Sequence, residues 1–123
     1  MKIHASGENY LETILLLQKR NGKVRAIDIA NELEFSKPSV SVAMKHLREQ
    51  EMIHVAENGN ITLLPKGLEI AERIYERHEL LCLWLTGLGV PEDIAAEDAC
   101  KLEHVISTES FEAIKSHAIN HKK

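Results

Sequence analysis

Apolar residues in the first part of the chain recur at the spacing of short amphipathic helices. Tyr10, Leu11, Ile14, Leu15 and Leu17 fit a first helix, which Asn21-Gly22 stops. A second is predicted from about Ala26 to Leu33, with Ile27, Ile29, Ala30 and Leu33 apolar, and Glu34-Phe35-Ser36 forms a tight connection to a third. That third helix opens with Ser36 as N-cap and Pro38 in its first turn, then carries Val40, Val42, Ala43, Met44 and Leu47. The pattern then changes: Met52 to Ala56 and Ile61 to Leu64 read as two short strands around an Asn58-Gly59 turn. From Lys66 a long helix runs through Leu68, Ile70, Ala71, Ile74, Tyr75 and His78 toward Leu85, and Gly87 and Gly89 end it. Pro91-Glu92 starts a fifth helix, and Ser107-Thr108-Glu109 caps a last one containing Phe111 and Ile114.

The expected fold is therefore mainly α with a small β-hairpin. Two short helices joined by a tight turn, the second with Ser39, Ser41, Lys45 and Arg48 on its polar side, have the outline of a helix-turn-helix. Any helical hairpin shares that outline, but a β-hairpin following at once makes it a winged helix-turn-helix, which points to DNA. The predicted domains are a winged-helix DNA-binding domain over residues 1–65 and a helical domain over 66–123. In the second, Leu80, Leu81, Leu83, Trp84 and Leu85 exceed what one helix face buries in a small monomer, so part of this segment is expected to meet a second copy. Leu81, Trp84, Leu85, Leu102, Val105 and Ile106 are the interface candidates.

Charge refines this picture. The net charge of −4 argues weakly against nucleic acid until it is resolved along the chain. Residues 1–66 hold nine Lys or Arg against eight Asp or Glu, whereas residues 67–123 hold six against eleven. A carboxylate-rich half is costly to pack unless cations neutralise it. No apolar run approaches a bilayer span and no leader pattern opens the chain, so a cytoplasmic protein without membrane contact is expected. With only Cys82 and Cys100, a disulfide framework is not expected. Aromatic residues are 4% of the chain, so the core must come from Leu, Ile, Val and Ala.

The densest chemistry is Cys100-Lys101-Leu102-Glu103-His104, where a thiol, a carboxylate and an imidazole at i, i+3 and i+4 share a helix face. Each binds a divalent transition metal best when deprotonated. The plainer alternative is a buried structural thiol at Cys100 beside a solvated Glu103-His104 face. Asn9 and Glu12 on the first helix and His78 on the long one add oxygen and nitrogen donors. Most of the seven histidines, including His4, His54, His117 and His121, lie in polar or terminal contexts and are expected to meet solvent, and His78 and His104 are the candidates. A nucleophile motif and a Gly-rich phosphate loop are both missing from the sequence, so an enzyme is not expected.

These residues resemble the DtxR/MntR family of metal-dependent transcriptional repressors over essentially the whole chain. The matching segments are Glu8-Asn9-Tyr10-Leu11-Glu12, Ser36-Lys37-Pro38-Ser39-Val40-Ser41, Leu63-Leu64-Pro65-Lys66-Gly67, Arg77-His78-Glu79-Leu80-Leu81 and Glu97 through Ser107. The resemblance implies an amino-terminal winged helix that binds double-stranded operator DNA, and following helices that form a homodimer and hold metal together with the first helix. Cys100, Glu103 and His104 match the iron-responsive branch, with residue 9 completing that site, while Glu12 and His78 match extra ligands of the manganese-responsive branch. Position 9 is Asn where the iron branch has Met and the manganese branch Asp. Cys100 stands where the manganese branch has Glu, and a thiolate favours Fe(II), Co(II) or Zn(II) over hard Mn(II). Fe(II) is thus the first expected cofactor and Mn(II) the next, with Zn(II), Co(II) or Ni(II) able to bind in vitro. Cys82 and Ala96 replace the carboxylate and histidine of the iron branch's ancillary site. The chain looks like the short, two-domain form.

The mechanism the resemblance implies is linkage: metal ties the first helix to the dimerisation helices and sets the spacing of two recognition helices. That spacing must match half-sites about one duplex turn, roughly 34 Å, or multiples of it apart. Lys37, Lys45 and Arg48 are expected on phosphates, with Ser36, Pro38, Ser39 and Ser41 near backbone or base edges. The alternative is a winged-helix regulator that senses oxidation through Cys82 and Cys100, or a small organic effector, with any metal structural.

Overall fold

The computed structural model describes residues 5–120, so His4 and His121 lie outside the described residues. The elements are α1 (Ala5–Asn21), α2 (Ala26–Leu33), α3 (Lys37–Glu49), β1 (Ile53–Val55), β2 (Ile61–Leu63), α4 (Pro65–Gly87), α5 (Glu92–Val105) and α6 (Thr108–Asn120). The chain forms two compact units, one up to Glu72 and the other from Arg73 onward, with α4 running through both. No helix among the described residues is long and apolar enough to cross a membrane.

In the first unit α1 ends at Gly22, whose φ of +81° is open to a residue without a side chain and whose N–H donates to the Gln18 carbonyl at 2.8 Å. Leu11, Ile14, Leu15 and Leu17 of α1 are buried, as are Ile29 and Ala30 of α2 and Val40, Met44 and Leu47 of α3. The Ser36 hydroxyl accepts the Ser39 N–H at 3.2 Å, so the N-cap expected from the sequence forms. Val42 and Ile27 depart from the apolar pattern: they are 55% and 40% exposed, because each points away from the side that α2 and α3 bury.

The two strands pair antiparallel with Ile53 opposite Leu63, His54 opposite Thr62 and Val55 opposite Ile61. They are shorter than the sequence suggests. The Leu64 N–H still donates to the Met52 carbonyl at 3.0 Å, but the Met52 N–H is spent on the Leu47 carbonyl at the end of α3 and the Leu64 carbonyl on the Leu68 N–H of α4, so no full pair forms there. Pro65 takes the first position of α4, where its missing N–H is no loss. The Ile61 N–H donates to the Val24 carbonyl at 2.7 Å, and Asn60 Oδ1 accepts the Val24 N–H, so the wing is also tied to the loop before α2.

In the second unit Ile74, Leu81, Ala95, Ala99 and Phe111 are buried hydrophobics. Leu81, expected at a subunit interface, is 0% exposed within the chain itself and so presents no surface to a partner. Trp84, Leu85, Leu102 and Ile106 are half-buried, and Val105 is 77% exposed. Leu83, Leu88 and Ile94 are further exposed apolar residues, outside the interface candidates chosen from the sequence.

Candidate functional site

The metal-ligand candidates of the second unit converge. His78 of α4 and Cys100 and Glu103 of α5 each bring one ligand atom within 4.8 Å of the others. Nδ1 of His78 lies 2.8 Å from Oε1 of Glu103, and Nε2 of His104 lies 3.3 Å from Oε2 of the same carboxylate. Burial reverses the plainer alternative: the Glu103 side chain is 0% exposed and Cys100 is exposed. Neither cysteine forms a disulfide. Cys82 lies one turn beyond His78, its Sγ 3.6 Å from Nε2.

The electrostatics follow from the Glu103 carboxylate. Its hydrogen bond with His78 raises the imidazole pKa above the ordinary value, against the opposing effect of partial burial. Oε2 of Glu103 is buried and makes no hydrogen bond among the described residues beyond its 3.3 Å approach to the His104 ring. A carboxylate oxygen left so is expensive, and a cation beside it removes that cost. Imidazole, thiolate and carboxylate are together a fitting donor set for a first-row divalent metal. His78, Cys100 and Glu103 would hold it, with His104 against the other oxygen of the Glu103 carboxylate.

Asn9 and Glu12 lie on α1 in the first unit. Glu12 is 4% exposed, and the Asn9 carbonyl accepts the Thr13 hydroxyl at 2.8 Å.

The second candidate surface is the polar side of α3. Ser36, Lys37, Pro38, Ser39, Ser41, Lys45 and Arg48 are all exposed. The Ser36 hydroxyl also meets that of Ser39 at 2.8 Å, so part of the capacity of both is used locally. A groove of about 420 Å³ runs between α3, the start of α2 and the wing, lined in part by Arg25, Ser41, Lys45, Arg48 and Gly59. The sequence reasoning missed Arg25. The one available signal was its place just before α2, where its N–H donates to the Asp28 carboxylate and its side chain remains exposed.

A winged helix carrying basic and hydroxyl side chains on its exposed third helix, in a chain with a mixed-donor cluster of candidate metal ligands, defines a metal-responsive DNA-binding regulator. Residues 2–61 match the family described as "Iron dependent repressor, N-terminal DNA binding domain", and residues 64–121 match "Iron dependent repressor, metal binding and dimerisation domain". The chain belongs to this DtxR/MntR family of metal-dependent transcriptional regulators, which are DNA-binding proteins and not enzymes. It is 34% identical over 110 residues to an uncharacterised HTH-type transcriptional regulator of Methanocaldococcus jannaschii, covering 88% of each. It is 34% identical over 109 residues to the HTH-type transcriptional regulator MntR of Bacillus pumilus, covering 89% of this chain and 76% of that one. Among solved structures, the manganese regulator SloR superposes with a TM-score of 0.82 at 28% identity, over all of this chain and 56% of that one. IdeR of T. acidophilum superposes at 0.78 and 27% identity, over 89% of this chain and 52% of that one. The chain thus spans about half the length of these two structures.

Proposed function

We propose that this chain is a repressor of metal-uptake genes that binds operator DNA as a homodimer when Fe(II), or secondarily Mn(II), is present. The observation that carries the reading is the convergence of His78, Cys100 and Glu103 around a fully buried carboxylate. The thiol of Cys100 favours Fe(II). Mn(II) stays next because several relatives bear the name MntR and the similar solved structures include manganese regulators.

The division of labour proposed is a DNA-binding part over residues 1–65 and a dimerisation and metal-binding part over 66–123. Asn9 and Glu12 complete the ligand set from α1, as the family pattern suggests, and a bound ion would supply a cross-link between ligands far apart in sequence. His78 would ligate as the neutral imidazole, and Glu103 and Cys100 would contribute negative charge that a cation neutralises. Lys37, Lys45 and Arg48 neutralise phosphates, while Ser36, Pro38, Ser39 and Ser41 approach backbone and base edges. Val42, apolar and 55% exposed on the same helix, suits a thymine methyl group. Leu102, Val105, Ile106, Trp84 and Leu85 are the proposed dimer surface, to which the exposed Leu83, Leu88 and Ile94 are added.

The test is anaerobic binding to the protein's own upstream DNA, by fluorescence anisotropy, with chelator, Fe(II) or Mn(II) at equal free concentration. Binding only with metal, strongest with Fe(II), is expected. Equal binding in chelator would overturn metal control and favour an oxidant or organic effector.

A further inference from the structure

Arg77 and His78 are consecutive on α4, and both hold Glu103, one by its main chain and the other by its side chain. Nη1 of Arg77 donates to the Glu103 carbonyl at 3.1 Å and to the Ile106 carbonyl at 3.0 Å. Nη2 lies 3.4 Å from the Thr108 hydroxyl, and the guanidinium carbon stands 5.4 Å from the centre of the Phe111 ring. One side chain therefore joins α4 to the last turn of α5 and the first turns of α6.

The physical role of these contacts follows from where α5 ends. The last four carbonyls of a helix have no partner within it, and Glu103 is among the residues of that last turn. Arg77 supplies the missing donor there. Its planar fork can span two carbonyls and a hydroxyl at once, which a lysine ammonium on a flexible stem does not reproduce.

Stability alone is a poor account of this residue. Arg77 is 8% exposed, its hydrogen-bond acceptors among the described residues are neutral, and its Nε is buried without a partner. A buried guanidinium so placed is costly to desolvate, and an apolar side chain of similar volume often serves stability as well or better. What the charge and the fork provide is a fixed position for the α5 end that carries Glu103 and His104. We infer that Arg77 is a positioning residue of the metal centre, setting the Glu103 carboxylate and its neighbour His104 where an ion requires them. The inference rests on the reading of Glu103 and His78 as ligands.

The test uses the full chain with Arg77→Lys, Arg77→Met, Glu103→Gln and, as control, Lys115→Met, which breaks the exposed pair with Glu76 between α4 and α6. Co(II) affinity is measured anaerobically by competition with a chromogenic chelator, alongside the Co(II) ligand-field spectrum and the urea midpoint of chelated protein. Arg77→Lys is expected to stay folded, to bind Co(II) roughly tenfold or more weakly, as removal of a group that orients a ligand does, and to shift the ligand-field bands. Arg77→Met should lose at least as much, and Lys115→Met should match wild type. Wild-type affinity and spectrum in both Arg77 variants, with only a lower urea midpoint, would overturn the inference while leaving the ligand reading intact. Wild-type binding in Glu103→Gln would instead remove the ligand reading and the inference with it. Should neither Arg77 variant fold, Thr108→Ala, which removes one acceptor, carries the same comparison with a smaller loss expected.

Discussion

Nδ1 of His78 lies 2.8 Å from Oε1 of Glu103, joining α4 to α5 across 25 positions of sequence. The Glu103 side chain is 0% exposed, so the pair sits in a medium that strengthens its attraction. The contact favours the imidazolium in metal-free protein, whereas a metal would need the neutral ring.

The first expectation concerns pH. The His78 pKa is raised in the folded chain, chiefly by the hydrogen bond with Glu103. The pair therefore adds full stability below the ordinary histidine value of 6.5 and loses it as pH rises through the raised value. In urea titrations of chelated protein, the stability difference between wild type and His78→Gln should be largest in mild acid and should close in alkali. A difference that grows with pH would contradict the assignment. Metal binding should also release protons, visible as buffer-dependent calorimetric heats.

Metal choice is the second. Replacing Cys100 by Glu removes the soft donor and offers a hard one, so affinity should move toward Mn(II) and away from Fe(II) and Co(II). A change of roughly tenfold or more in the ratio, equivalent to about 1.4 kcal/mol, is expected. Metal competition assays under argon measure it, and an unchanged ratio would exclude Cys100 from the coordination shell.

The DNA face gives the third. Lys37 and Lys45 are exposed on α3, and each is expected to displace counterions at a phosphate. Changing both to Ala should reduce the slope of log binding constant against log salt by about 0.9 for every phosphate that the variant leaves unneutralised. Arg25, which lines the same groove, should behave likewise when changed to Ala. An unchanged slope would place these side chains off the DNA.

A fourth tests how α4 is seated in the first unit. A methyl group on Gly67 would overlap the Met52 carbonyl oxygen, which is main chain and cannot swing aside. Gly67→Ala should therefore destabilise by roughly 2 kcal/mol or more, as overpacking of a rigid site does. Thermal unfolding checks it, with Gly87→Ala, which meets nothing within 4 Å, as the control.

Much of the fold was legible because its signals are local. The Ser36 cap, the proline opening of α3 and the Asn58-Gly59 turn each depend on residues a few positions apart, and each element formed near its predicted place. The strands came out short because the Met52 N–H goes to the end of α3 and the Leu64 carbonyl to α4, leaving only the Leu64 N–H to Met52 carbonyl bond between them, a division that periodicity does not reveal. The spacing of Cys100, Glu103 and His104 is likewise local, and all three fall on α5.

Which member of such a face is buried was not local. Sequence reasoning allowed a buried Cys100 and a solvated Glu103, and packing produced the opposite. Leu81 looked like interface and lies in the core, while Leu88 and Ile94, outside the strongest apolar run, stand exposed. The bracing role of Arg77 carried no local signal, since it comes from carbonyls 26 and 29 positions away. The sequence by itself determined the helices, the hairpin and the donor types, because hydrogen bonds and side-chain periods within an element repeat over short spans. Only the tertiary structure decided the pairing of His78 with Glu103 and the bracing of Glu103 by Arg77, because burial and contact belong to the neighbours that a helix face meets.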